Sequence, residues 1–301
     1  MVAVVLHNPK QSGKTYRLAT AEDMAIFNDA QSYLESKRND LWDKWGIDPI
    51  PDEPLTRVPI TFGVINVWVY GMNTWGSLFN SRQQLALITF ADAVKQAHQL
   101  ILKEGYDEDY AKAIATYLAL VLNKLVVFNS SNCTWKVDTT QVRSAFAGRQ
   151  ALQMTWDYFE TNPISQAGTN WLNSLKVVLE GIEIVKDNNL FIKTTQSSAT
   201  NLPYPDNFFD AIITDPPYYD SVPYSYLSDF FYVWLSRTIG EYYPELFATP
   251  LTPKSDEAVA YSHNGGAEAG KQYFEEKNWS IISRNFPHFK TIRNSCYCFC
   301  P

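Results

Sequence analysis

The stretch Phe209–Ser225, FDAIITDPPYYDSVPYS, sets a short apolar run against an acid, two prolines and two tyrosines. Ala211-Ile212-Ile213 has the length and character of a parallel strand buried on both faces. The pattern predicts a strand over 210–214, then a loop beginning at Asp215. A helix follows through YSYLSDFFYVWLSRTIG, ended by Gly240. Strand, loop and helix make half of an α/β unit, and in open α/β sheets ligands sit beyond the carboxyl ends of the strands. Asp215 falls at that end.

The loop has a chemistry of its own. The lone pair of an exocyclic amino group on a base is delocalised into the ring, so the nitrogen is a poor nucleophile. Accepting hydrogen bonds from its two N–H groups lets it become tetrahedral, with the lone pair aimed at a methyl donor. The Asp215 carboxylate can accept one bond. A backbone carbonyl held by Pro216 and Pro217 can accept the other, because proline fixes φ. Tyr218 then offers a face on which an extruded base can stack, with Tyr219 and Tyr224 beside it in sequence. Positioning and differential hydrogen bonding supply the catalysis. The alternative is a proline-rich turn with Asp215 capping it. At about 5% each for Asp and Pro and about 3% for Tyr, the tetrapeptide arises by chance in roughly one such chain per thousand, which favours the functional reading.

Upstream the chain reads as helical. Met24, Phe27, Leu34, Leu41 and Trp45 are spaced for a helix over 21–45. Leu87, Phe90, Val94, Ala97 and Ile101 make a stripe over 81–103, and Ala113 to Leu125 another over 108–128. Further helices are expected near 149–160 and 170–186. INVWVYGM reads as a strand, LFIK (190–193) as another, and the proline-studded GIDPIPDEPLTRVP as a linker.

Hydrophobic residues make up 46% of the 301 and charged residues 19%, the balance of an ordinary folded chain. The net charge of -7 argues against a self-sufficient grip on duplex nucleic acid, which works through a basic face. No run of about 18 uninterrupted apolar residues exists, so no membrane span is expected. The N-terminus lacks the marks of a signal peptide. Cys133 stands alone, and Cys296, Cys298 and Cys300 crowd the end, which is no disulfide framework and fits a reducing cytoplasm.

DPPY resembles the catalytic motif of amino-methyltransferases, which move a methyl group from S-adenosylmethionine to amino groups of adenine or cytosine in DNA. The longer runs SATNLPYPDNFFDAIITDPPYYDSVPYSYLSDFFYVWL, YPELFATPLTPKSDEAV and GMNTWGSLFNSRQQLAL are similar to one group of these. It is the large prokaryotic adenine-specific DNA methylases with a zinc ribbon, some associated with anti-phage defence. The resemblance runs from about Gly13 to Glu276. It implies an α/β fold, part of a Rossmann-like methyltransferase sheet with a large helical insertion. Asp215, Pro216, Pro217 and Tyr218 would be the catalytic loop, and a flipped adenine in DNA the substrate. Ser198, Ala199 and Leu202 would line the adenosine side of the cofactor. Phe79, Asn80 and Arg82 would meet its methionine end, although Asn80 or Ser81 also suits a helix cap.

The implied division is an N-terminal helical segment and linker over 1–60, a mainly helical region over 61–186, the methyltransferase part over 187–276, and an atypical tail over 277–301. The family's glycine-containing cofactor loop has no counterpart among the 13 glycines, so the chain reads as partial. A missing N-terminal half or another subunit would then complete the site. Beyond KQYFEE the tail departs from the family, as a frameshifted or truncated end would. Its cysteine spacing is a poor zinc pattern, so no metal is expected, and His263 and His288 read as loop residues. NPKQSGKT and GGAEAGKQ each miss one essential position of a phosphate loop. Two other readings stay open: an RNA amino-methyltransferase, and a non-catalytic partner subunit whose site is vestigial or completed in trans.

Overall fold

The computed structural model describes residues 2–57, 65–147, 151–186, 194–213, 215, 224–255, 257–260 and 267–285. These form a mixed α/β chain with two small two-stranded antiparallel sheets. They divide into two compact units. The first comprises residues up to Asn188 together with Tyr224–Pro253; the second comprises Asn189–Pro223 and everything from Lys254. The segment expected as methyltransferase part is therefore shared between units, because the helix that follows DPPY in sequence, Tyr224–Ile239, packs with helices of the first unit.

The first unit begins with a hairpin, β1 (Ala3–His7) against β2 (Lys14–Leu18), in the register Val5 to Tyr16. Its turn carries NPKQSG, with Gln11 N–H donating to the Asn8 carbonyl at 3.0 Å and Gly13 at φ +87°. Gly13-Lys14-Thr15 thus opens a strand, whereas a phosphate loop opens a helix. The first near-miss is a hairpin turn.

Helix α1 (Ala21–Trp45) starts at a capping box, Thr20 with Asp23, and stops at Gly46 in the left-handed region. α2 (Ser81–Lys103) starts at a second box, Asn80 with Gln83, and α3 (Glu108–Phe128) at Asp107. α4 (Trp171–Lys186) and α5 (Tyr224–Ile239) complete the bundle. By length and composition alone α3 would suit a membrane, but it packs against α2, α4 and α5. Among the described residues no other helix is that long and apolar.

Between α1 and α2, GIDPIPDEP is a strap whose Asp48–Pro51 stretch is buried, in place of a solvated linker. Gly76 N–H donates to the Pro51 carbonyl at 2.7 Å, Leu55 N–H to Asn73 at 2.9 Å and Trp75 N–H to Glu53 at 3.1 Å. The approach is so close that a Cβ on Gly76 would lie 2.5 Å from the Pro51 carbonyl oxygen. From α5, Arg237, 3% exposed, closes over the strap. Its guanidinium donates to the carbonyls of Asp48 (2.8 Å) and Ile50 (3.3 Å), and to the carboxylates of Asp52 (2.9 Å) and Glu53 (2.7 Å). Alongside, Phe79 stacks on Phe230 at 5.9 Å and meets Trp234 edge-on at 5.3 Å, all three buried.

α1 and α2 are also joined through Asp92, which is buried on α2 and accepts from Lys37 (2.8 Å) and Lys44 (2.7 Å) of α1. Burial alone would raise the Asp92 carboxyl, but the two lysines outweigh it and hold it below the usual range. A depressed folded-state value means the contribution is full above the unfolded value near 4 and disappears as pH falls through the folded one. Asp92→Asn is expected to cost about 1–3 kcal/mol at pH 7 and markedly less near pH 2. Urea midpoints at both pH values check this, and an equal loss at both would refute it.

Three expected elements differ. The described part of 149–160 forms no helix, because its backbone is taken up elsewhere: Leu152 bridges Ile65, and Phe159 N–H donates to the Cys133 carbonyl at 2.8 Å. INVWVYGM contributes a 3-10 turn, Val67–Tyr70, in place of a strand. Over Asp210–Ile213 no strand forms, and Ile213 is 96% exposed. That run needs parallel neighbours on both sides, and the described residues include none. LFIK lies outside the described residues.

The second unit contains the loop 194–213, Asp215, and α6 (Ala267–Asn285). Tyr273 Oη on α6 donates to the Ser255 carbonyl at 2.7 Å. Tyr204, Phe208 and Phe209 form an aromatic cluster with ring centroids 4.8–5.0 Å apart.

Candidate functional site

The second unit holds the clearest site. Asp215 is exposed there, so its carboxylate is open to a ligand. Pro216, Pro217, Tyr218 and Tyr219 lie outside the described residues, as do His263, His288 and the three terminal cysteines. Ser198 and Ala199 are exposed and Leu202 half-buried, with Ser198 Oγ 2.8 Å from Thr200 Oγ1.

Thr200 borders a cleft of about 360 Å³, completed by Tyr273, Glu276, Lys277 and Ser280 of α6. Sequence reading missed these four. Their positions i, i+3, i+4 and i+7 put them on one helix face, but that face is polar, and a search for apolar stripes passes over it. The cleft falls within the ~300–1,000 Å³ of small-molecule sites. Its side chains supply a ring, a carboxylate, an ammonium and two hydroxyls. Lys277 Nζ sits 5.6 Å from the Tyr273 ring centroid, and Glu276 accepts from Gln272 at 2.9 Å.

The remaining candidates belong to the first unit, where they have other partners. Phe79, 4% exposed, is core. Asn80 caps α2: its side-chain oxygen accepts from Gln83 N–H at 3.0 Å. Its Nδ2 donates to Tyr158 Oη (2.9 Å) and Glu160 (2.8 Å). Arg82 pairs with the same Glu160 and lies over the Phe27 ring at 5.3 Å. Tyr224 is the first residue of α5 and 41% exposed. Phe79 therefore offers a ligand no surface, and Asn80 and Arg82 are held by the loop at 158–160.

Gly270 and Lys271, from the second phosphate-loop near-miss, lie inside α6. Cys133 is buried and its thiol is pushed up by that burial, which keeps it protonated and unreactive.

No protein-family model, curated protein or solved structure matches this chain.

Proposed function

We propose that this chain takes part in methyl transfer from S-adenosylmethionine to the exocyclic amino group of adenine in DNA, in the cytoplasm. One observation carries the reading: an exposed carboxylate heading Asp-Pro-Pro-Tyr shares a compact unit with a cleft of cofactor size. The donor set of that cleft suits an adenosyl amino acid. Tyr273 would face the base, Glu276 would accept from the ribose hydroxyls, and Lys277 would meet the carboxylate, with Ser198, Ala199 and Leu202 on the adjoining loop. Bound there, the cofactor would supply an electrophilic methyl on sulfur: the amino lone pair takes the methyl, the S–C bond breaks to leave a neutral thioether, and the surplus amino proton passes to solvent. Asp215 accepts one N–H of the target amino group, the Pro216-Pro217 backbone the other, and Tyr218 stacks on the extruded ring, with Tyr219 beside it in sequence.

The proposal includes the fold. In a Rossmann-like sheet, 210–214 would be a strand, and it would form when parallel neighbours flank it. A second reading follows from their absence among the described residues and from the engagement of Phe79, Asn80 and Arg82 elsewhere: a methyltransferase-like subunit whose site is completed in trans.

Calorimetric titration of the 301-residue chain with S-adenosylmethionine tests the first against the second. Micromolar binding, weakened at least tenfold in Glu276→Ala, is the expected result. No heat up to millimolar ligand would refute cofactor binding by the chain alone and leave the second reading standing. Methylation assays on DNA and RNA of the same sequence then decide the acceptor.

A further inference from the structure

The two hairpins of the first unit form one surface with an unusual charge. β3 (Thr134–Lys136) pairs with β4 (Gln141–Arg143), Trp135 opposite Val142. This hairpin meets the β1–β2 hairpin through Lys14 and Tyr16. Lys14 Nζ donates to the Thr140 carbonyl and sits 4.9 Å from the Trp135 ring centroid. The Tyr16 ring meets Trp135 edge-on at 6.3 Å, and Trp135 stacks on Phe159 at 4.5 Å.

Over residues 2–18 and 134–143 the chain carries five Lys or Arg against a single acid, Asp138, within a protein of net charge -7. Arg17 is neutralised by Asp23 and Lys136 by Asp138. Lys10, Lys14 and Arg143 have no carboxylate partner among the described residues. Lys14 in particular is held by a carbonyl and an indole face, contacts that fix the ammonium while leaving its charge uncompensated. Beside these cations Tyr16 is 53% exposed and Leu18 77%.

Uncompensated cations interleaved with a ring that is 53% exposed match a chain of phosphates with a base to stack. We propose that the double-hairpin surface binds single-stranded DNA. Lys10, Lys14 and Arg143 contact successive phosphates and Tyr16 takes one base. The choice of DNA rests on the methyltransferase reading. The single strand follows from Tyr16, whose face is useful only to an unpaired base. Three phosphate contacts are too few for a duplex-gripping protein, and they suit a short single strand.

Fluorescence anisotropy with a labelled 20-nucleotide single strand, from 50 to 200 mM salt, provides the test. The full chain is expected to bind, with affinity falling as salt rises. The double variant Lys10→Ala/Arg143→Ala should bind more weakly, with the slope of log Kobs against log[salt] shallower by about 1–1.5, at roughly 0.7 per phosphate. Tyr16→Ala should lose about 5- to 100-fold at all salt concentrations. All three positions are exposed, and an unchanged circular dichroism melt verifies the fold. Failure of the parent to bind, an unchanged slope in the double variant, or equal affinity for duplex or for RNA of the same sequence would each overturn the proposal. The two readings separate cleanly. If S-adenosylmethionine fails to bind but the slope changes, cofactor binding by the chain alone is refuted and this surface stands; the reverse outcome removes this surface alone.

Discussion

Arg237→Ala is expected to lower the unfolding free energy by about 3–5 kcal/mol, the usual cost of removing one partner from a buried charged network. The guanidinium is 3% exposed and gathers two backbone carbonyls and two carboxylates of the strap over 48–53. Truncation leaves those carbonyls without donors and Glu53, itself largely buried, without a counter-charge. For a unit of this size the loss corresponds to a fall in Tm of roughly 6–20 °C. Arg237→Lys keeps the charge but has one compact ammonium where a planar fork reached four acceptors of the strap, so it should recover less than half of the loss. Thermal melts of the three proteins decide the matter. A midpoint within 2 °C of the parent for Arg237→Ala would show that the strap is held by its backbone bonds to 73–76 instead.

Asp215→Ala is expected to abolish methyl transfer, by at least ~100-fold, while leaving the fold alone. The carboxylate is exposed, so its removal forfeits no packing and no buried bond. Transfer of labelled methyl from S-adenosylmethionine to adenine-containing DNA is the readout. A variant as active as the parent would sink the assignment. Tyr218→Ala separates stacking from chemistry. It should weaken affinity for the target strand by roughly 1–3 kcal/mol, and unchanged affinity would remove the stacking role.

The helices are legible in the sequence because two kinds of signal coincide there. α1, α2 and α3 each carry an apolar stripe, and each begins at Thr20, Asn80 or Asp107, side chains that cap their own backbone. Local chemistry decides such elements. The strap is illegible because prolines and acids look the same in a solvated linker and in a segment gripped by an arginine 185 residues away. The same holds for 151–159, whose backbone is satisfied by Asn66 and Cys133 in place of its own turns. At the site, Asp215 stands out through its neighbours in sequence, whereas Tyr273, Glu276 and Lys277 do not. Nothing in a polar helix face announces what lies opposite it. Asn80 is ambiguous in sequence because a cap and a ligand-binding amide need the same side chain, and in the structure it caps.

The strap has a consequence for how the protein is made. Its clasp is encoded 184 to 189 residues after the segment it holds. At 5–20 residues per second, on the order of 10–40 s of synthesis separate the two. During that interval α1, α2 and α3 can form, but Trp75, Phe79 and the strap lack the α5 residues that cover them. The nascent chain therefore carries an open aromatic seam until Phe230, Trp234 and Arg237 arrive. Ribosome-bound chains ending before α5 should be the ones that engage chaperones, and release should coincide with the emergence of that helix.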